Sequence, residues 1–175
     1  MAKISAKKLC LSGLFTAIIV ICSWITIPSA VPFTLQIFAI VLSCYVLGFY
    51  AFLSYFCYLL LGIIGVPVFS GFNFGISVII GPTGGFLLGF IFTILISVIG
   101  RKLAQNQIVL FFITIIGLVA CYIFGTIWYV FIYLKEDFTF IINAIKISIL
   151  PFVLFDIVKI ILAQFISQKL IKIGV

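Results

Sequence analysis

The chain has 175 residues, 66% of them hydrophobic and 7% charged, with no histidine. A water-soluble domain carries about a quarter charged residues, so a soluble fold is excluded. With no histidine and only Glu136, Asp137 and Asp156 as acids, the usual histidine zinc site and the Ser-His-Asp or Cys-His nucleophile are excluded too, and an enzyme is not expected for want of an acid and base pair.

From residue 9 to residue 100 there is no charged side chain, a run of 92. As one helix it would measure about 138 Å against a hydrocarbon core of about 30 Å, so the chain must cross several times. Glycine and proline punctuate the run. The first crossing is expected over 9–27, ended by Pro28-Ser29-Ala30-Val31-Pro32. Its basic start resembles a signal peptide, but it exceeds the usual 7–15-residue apolar core and is read as the first membrane helix. The second (33–47) and third (49–66) are divided at Gly48, because one helix over 33–66 would be about 51 Å long, more than tilt accommodates. Residues 67–83 are too broken for a spanning helix and too apolar for a solvated loop, so an ordered lid or re-entrant segment is expected there. The fourth helix is placed at 85–100, the fifth at 108–133 and the sixth at 141–170, kinked near Pro151. The expected fold is an all-α membrane protein with six transmembrane helices, one domain over residues 1–175, and an irregular lid between helices three and four.

The net charge of +7 comes from ten scattered basic residues at the ends of apolar runs, which argues for topology signals and against nucleic acid. With six spans, Lys3, Lys7, Lys8, Arg101, Lys102, Lys169 and Lys172 fall on one side, so both termini are expected in the cytoplasm. Cys10, Cys22, Cys44, Cys57 and Cys121 all lie in apolar stretches, where cysteine packs as a small hydrophobe.

An ionisable group at membrane depth costs about 2.5–3.5 kcal/mol on insertion scales. Asp156 and Lys159, spaced i,i+3 on the last helix, share a face. They form either a self-neutralising pair or a polar ligand site: a carboxylate accepts from ligand N–H groups, and an ammonium donates to ligand oxygens. Gln36 and Asn73 are further amides near membrane depth, with interhelical bonding and turn formation as their plainer roles. Gly81-Pro82-Thr83-Gly84-Gly85 lacks the Gly-Lys-Ser/Thr of a phosphate loop and reads as a tight turn whose following N–H groups are open to a ligand. Gly13 and Ala17 form a small-xxx-small patch suited to close helix contact.

Val31-Pro32-Phe33-Thr34-Leu35-Gln36, Leu-Gly-Ile-Ile-Gly-Val-Pro-Val-Phe ending at Phe69, Gly-Pro-Thr-Gly-Gly at 81–85 and Asp156-Ile157-Val158-Lys159 occur in order. In these motifs the chain closely resembles the BioY family, the biotin-binding S-components of energy-coupling factor (ECF) transporters. The resemblance implies a six-helix S-component bundle in a bacterial cell membrane, capturing biotin from outside without any cofactor. A transmembrane coupling subunit and two cytoplasmic ATPases would energise it. It carries Asp156 and Lys159 over as ligand residues; their chemistry suits the aspartate to the ureido N–H groups and the lysine to the ureido carbonyl or the valerate carboxylate, with the swapped assignment open. Gly13 and Ala17 match the docking patch of helix one in size. Phe86 stands where the family usually has tyrosine, and Leu154-Phe155 where relatives often have Pro-Gly. Biotin pairs an apolar bicycle with few polar groups and asks for an aromatic-lined pocket; Phe69, Phe72, Phe74 and Phe86 are the candidates, with Thr83, Asn73 and Gln36 as further polar contacts. The rival reading is a stand-alone secondary transporter or channel for a small organic anion, selected by Lys159.

Overall fold

The computed structural model describes residues 6–27, 32–134 and 153–174. Its elements are α1 (Ala6–Trp24), a two-stranded hairpin of β1 (Thr26–Ile27) and β2 (Phe33–Thr34), α2 (Gln36–Leu47), α3 (Tyr50–Ile63), a 3-10 turn at Ser70–Phe72, α4 (Ile76–Ile80), α5 (Gly84–Leu103), α6 (Gln107–Ile127) with a π-helical continuation over Trp128–Leu134, and α7 (Val153–Lys172). Among the described residues three helices, Ala6–Trp24, Gly84–Leu103 and Gln107–Phe131, are long and apolar enough to cross a membrane. The shorter α2 and α3 are apolar, and the 20-residue α7 carries Asp156, Lys159, Lys169 and Lys172. The kink expected near Pro151 lies outside the described residues.

The centre of the bundle is α2, in which every residue but Phe38 is buried. It packs against α1, α3, α5 and α7. At 12 residues it is about 18 Å long, and its neighbours keep its polar ends from lipid. It ends at Gly48, whose φ of 61° is a left-handed conformation that glycine adopts without strain. The Arg101 guanidinium donates to the Val46 carbonyl (3.1 Å), so a cation satisfies the carboxyl end of that helix.

Large apolar side chains such as Leu14, Phe56, Phe112, Ile123 and Phe165 point outward, the polarity expected of a bundle surrounded by acyl chains. Inside, hydroxyls tie helices together: Tyr45 to Thr114 Oγ1 (2.6 Å), Tyr55 to the Leu87 carbonyl (2.6 Å) and Thr16 to the Ser54 carbonyl (3.0 Å). Such bonds replace the hydrophobic driving force that lipid cannot supply.

The two ends of the bundle differ. Lys7 donates to the Gly174 carbonyl, Arg101 reaches the α2–α3 turn and Gln164 Nε2 donates to the Gln107 carbonyl (2.6 Å). These bonds gather the start of α1, the α2–α3 and α5–α6 turns and the end of α7 at one basic end. The opposite end holds the hairpin, residues 66–83 and the starts of α5 and α7. There the structure departs from the expected boundaries: α1 stops at Trp24 because Thr26 and Ile27 pair with Thr34 and Phe33, and α2 begins at Gln36, whose N–H donates to Thr34 Oγ1 (3.2 Å). Residues 67–83 are not irregular throughout, since Ile76–Ile80 form α4.

Candidate functional site

At the end opposite the basic residues the hairpin, residues 69–83 and the ends of α2, α5, α6 and α7 enclose a cavity of about 810 Å³, its mouth included. Its aromatic wall is Phe33, Phe69, Phe86 and Phe90, and its polar groups include Gln36, Asn73, Thr83, Tyr122 and Asp156.

Each wall residue is set by its element. Phe69 is 1% exposed and lies across Gly62, where an added Cβ would come within 2.1 Å of the ring. Only a glycine in α3 lets the chain after it fold back so closely. Phe86 is likewise seated against Gly125 of α6, 2.4 Å from where a Cβ would stand, and Cys121 Sγ donates to its carbonyl (3.5 Å). The 69–73 stretch is held to the end of α1: Trp24 Nε1 donates to the Pro67 carbonyl (2.9 Å), Ser23 Oγ to the Val68 carbonyl, and Ser70 Oγ to Thr26 Oγ1 (3.0 Å).

The charged centre lies on the first turns of α7. Asp156 is 2% and Lys159 5% exposed. Lys159 Nζ donates to Asp156 Oδ1 (2.7 Å) and to the Thr34 carbonyl (2.7 Å), and sits 3.4 Å from the centroid of the Phe33 ring. The Tyr122 hydroxyl donates to the other carboxylate oxygen, Oδ2. Burial of two charges is tolerable only with such complete pairing. Asp156 faces the cavity, whereas Lys159 is absent from its wall and stands behind the carboxylate. Gln36 is 3% exposed and, among the described residues, its Nε2 has no hydrogen-bond partner. A buried donor left unmet in a cavity wall is a group in want of a ligand or a water.

The structure therefore brings together Asp156, Gln36, Asn73, Phe69, Thr83 and Phe86, with Lys159 one bond behind. It does not bring Phe72 or Phe74 to the cavity; they are 60% and 56% exposed, and Phe72 stacks on Trp24 (centroids 4.9 Å apart) on the outside. Between the two rings the chain turns through Ser70–Phe72, where Gly71 and Phe72 have φ of 69° and 60°. Gly13 and Ala17 are exposed on α1, and nothing lies within 4 Å of a Cβ built on Gly13, so the patch is not used for packing inside the bundle.

The model of the BioY family matches residues 1–174. The chain belongs to the BioY family. It is 40% identical over 173 residues to the biotin transporter BioY of Thermotoga maritima, covering 97% of this chain and 98% of that one. It is 40% identical over 168 residues to the biotin transporter BioY2 of Lactococcus lactis, covering 94% and 90%. Among solved structures it superposes on a crystal structure described as the S-component for biotin from an ECF-type ABC transporter, with a TM-score of 0.82 and 29% identity over 95% of this chain and 91% of that one.

In this BioY member, sequence reasoning missed Tyr122, Phe33, Phe90 and the Thr34 carbonyl. Phe33 and Thr34 stood inside a quoted motif, but only the fold places them beside Lys159. Tyr122 is one tyrosine of seven in an apolar helix, and its one available signal was a hydroxyl in mid-span.

Proposed function

We propose that this BioY protein is the biotin-capturing subunit of an ECF-type uptake transporter, a transport subunit and not an enzyme. The observation that carries the reading is the aromatic cavity with a buried, doubly bonded carboxylate and an unmet amide donor in its wall. The bicycle packs between Phe69, Phe86 and Phe90. Asp156 accepts from the ureido N–H groups, since each carboxylate oxygen keeps a lone pair after its present bond. Gln36 Nε2 donates to a ligand oxygen, and Asn73 and Thr83 edge the mouth. Lys159 serves the ligand through Asp156, neutralising it and anchoring it to the hairpin.

Six spans thread a bacterial cell membrane with both termini in the cytoplasm, because Lys7, Lys8, Arg101, Lys102, Lys169 and Lys172 then obey the positive-inside rule. The cavity thereby faces outward, and residues 67–83 form the lid over it. With no nucleotide motif in the chain, energy for release inward comes from a transmembrane coupling subunit and two cytoplasmic ATPases, docked along the exposed Gly13–Ala17 face of α1. Isothermal titration of biotin into the detergent-purified chain, with Asp156→Asn beside it, tests the reading; equal affinity in the two overturns the assignment of the site.

A further inference from the structure

Asp156 hangs from α7 by a side chain whose terminal torsion is broad and has no sharp preferred setting. Two donors approach its two oxygens from different elements: Lys159 Nζ on Oδ1 from the same helix, and the Tyr122 hydroxyl on Oδ2 from α6. The Lys159 ammonium is itself fixed to the Thr34 carbonyl, so a single chain of bonds runs from the hairpin through α7 to α6. The far end of that chain is closely packed. Gly89 of α5 lies so close to Cys121 that a Cβ there would come within 2.9 Å of its sulfur, and Cys121 is fully buried beside Tyr122.

We propose that Tyr122 is a positioning residue for ligand recognition, setting the plane of the Asp156 carboxylate so that both oxygens present a free lone pair to the cavity. The inference rests on the proposed biotin reading, in which a ureido group offers N–H donors to that carboxylate. With the phenol gone, Oδ2 loses its one partner among the described residues and the carboxylate turns about its own axis. A ligand then has to order it at the moment of binding, and affinity falls. A tyrosine that merely braced two helices would act differently, and the protein supplies a comparator. Tyr45 is buried, and its hydroxyl bonds Thr114 Oγ1 (2.6 Å) between α2 and α6 without lining the cavity.

The test measures biotin affinity by titration, thermal unfolding without ligand, and the infrared band of the Asp156 carboxylate, identified by its loss in Asp156→Asn. Wild type, Tyr122→Phe and Tyr45→Phe are compared. Tyr122→Phe is expected to weaken biotin about tenfold, equivalent to about 1.4 kcal/mol, with a shifted carboxylate band and an unfolding temperature lowered at least as far as in Tyr45→Phe, since a buried carboxylate oxygen loses its partner. Tyr45→Phe is expected to lower the unfolding temperature and leave affinity and band unchanged. Wild-type affinity or an unshifted band in Tyr122→Phe, or an equal loss of affinity in Tyr45→Phe, overturns the inference alone. A wild-type chain that binds no biotin overturns the function proposed above and this inference with it.

Discussion

At the residue scale the cost of the site is concentrated in one ion pair. Removing one member of a buried pair leaves the other uncompensated, which costs about 3–5 kcal/mol, whereas replacing both by apolar groups of similar size is often neutral. Lys159→Ala should therefore lower the ligand-free unfolding temperature clearly, while the double variant Asp156→Leu with Lys159→Met should unfold near the wild-type temperature; thermal denaturation in detergent decides. Asp156 and Lys159 were legible in the sequence because charge in an apolar helix is expensive wherever the helix lies. Tyr122 was not, because its meaning comes from a partner 34 residues away. The outward turn at Phe72 was hidden for a related reason, since the sequence of Phe69, Phe72 and Phe74 says that rings are present and nothing of which way each faces.

In the proposed reading the element that controls entry is the stretch from Pro67 to Thr83. It is tied to α1 by Ser23 and Trp24 and by the Trp24–Phe72 stack, and its far end is held where Trp128 Nε1 donates to the Gly81 carbonyl (3.1 Å). Trp24→Ala removes one hydrogen bond and one stack, each worth about 1 kcal/mol, and touches nothing in the cavity wall. Biotin should dissociate several-fold faster, read by chase of radiolabelled biotin, with the carboxylate contacts intact; an unchanged rate would mean that the segment is no lid. The ends of α1, α5 and α6 were legible to within a turn because glycines, prolines and charges mark them, while the expected start of the sixth helix at 141 lies outside the described residues. The hairpin was not, since strands of two residues exist only through their pairing, and α4 was absorbed into a stretch that its flanking glycines made look irregular.

On the scale of the whole molecule, the cavity and the basic residues stand at opposite ends, and α1 runs between them with Gly13 and Ala17 facing outward. A bulky side chain at either position would meet a docked partner rather than the bundle. Gly13→Phe should keep biotin affinity within about twofold and reduce uptake in cells carrying the coupling module at least about tenfold, a split measured by titration and transport side by side. The most direct test of the account is titration of biotin into the purified wild-type chain and into Asp156→Asn. One biotin should bind per wild-type chain, with an affinity at least about tenfold lower in the variant, the loss of about 1.4 kcal/mol or more from a charged hydrogen-bond acceptor. Wild-type protein that binds no biotin, or a variant that binds it equally well, would contradict it.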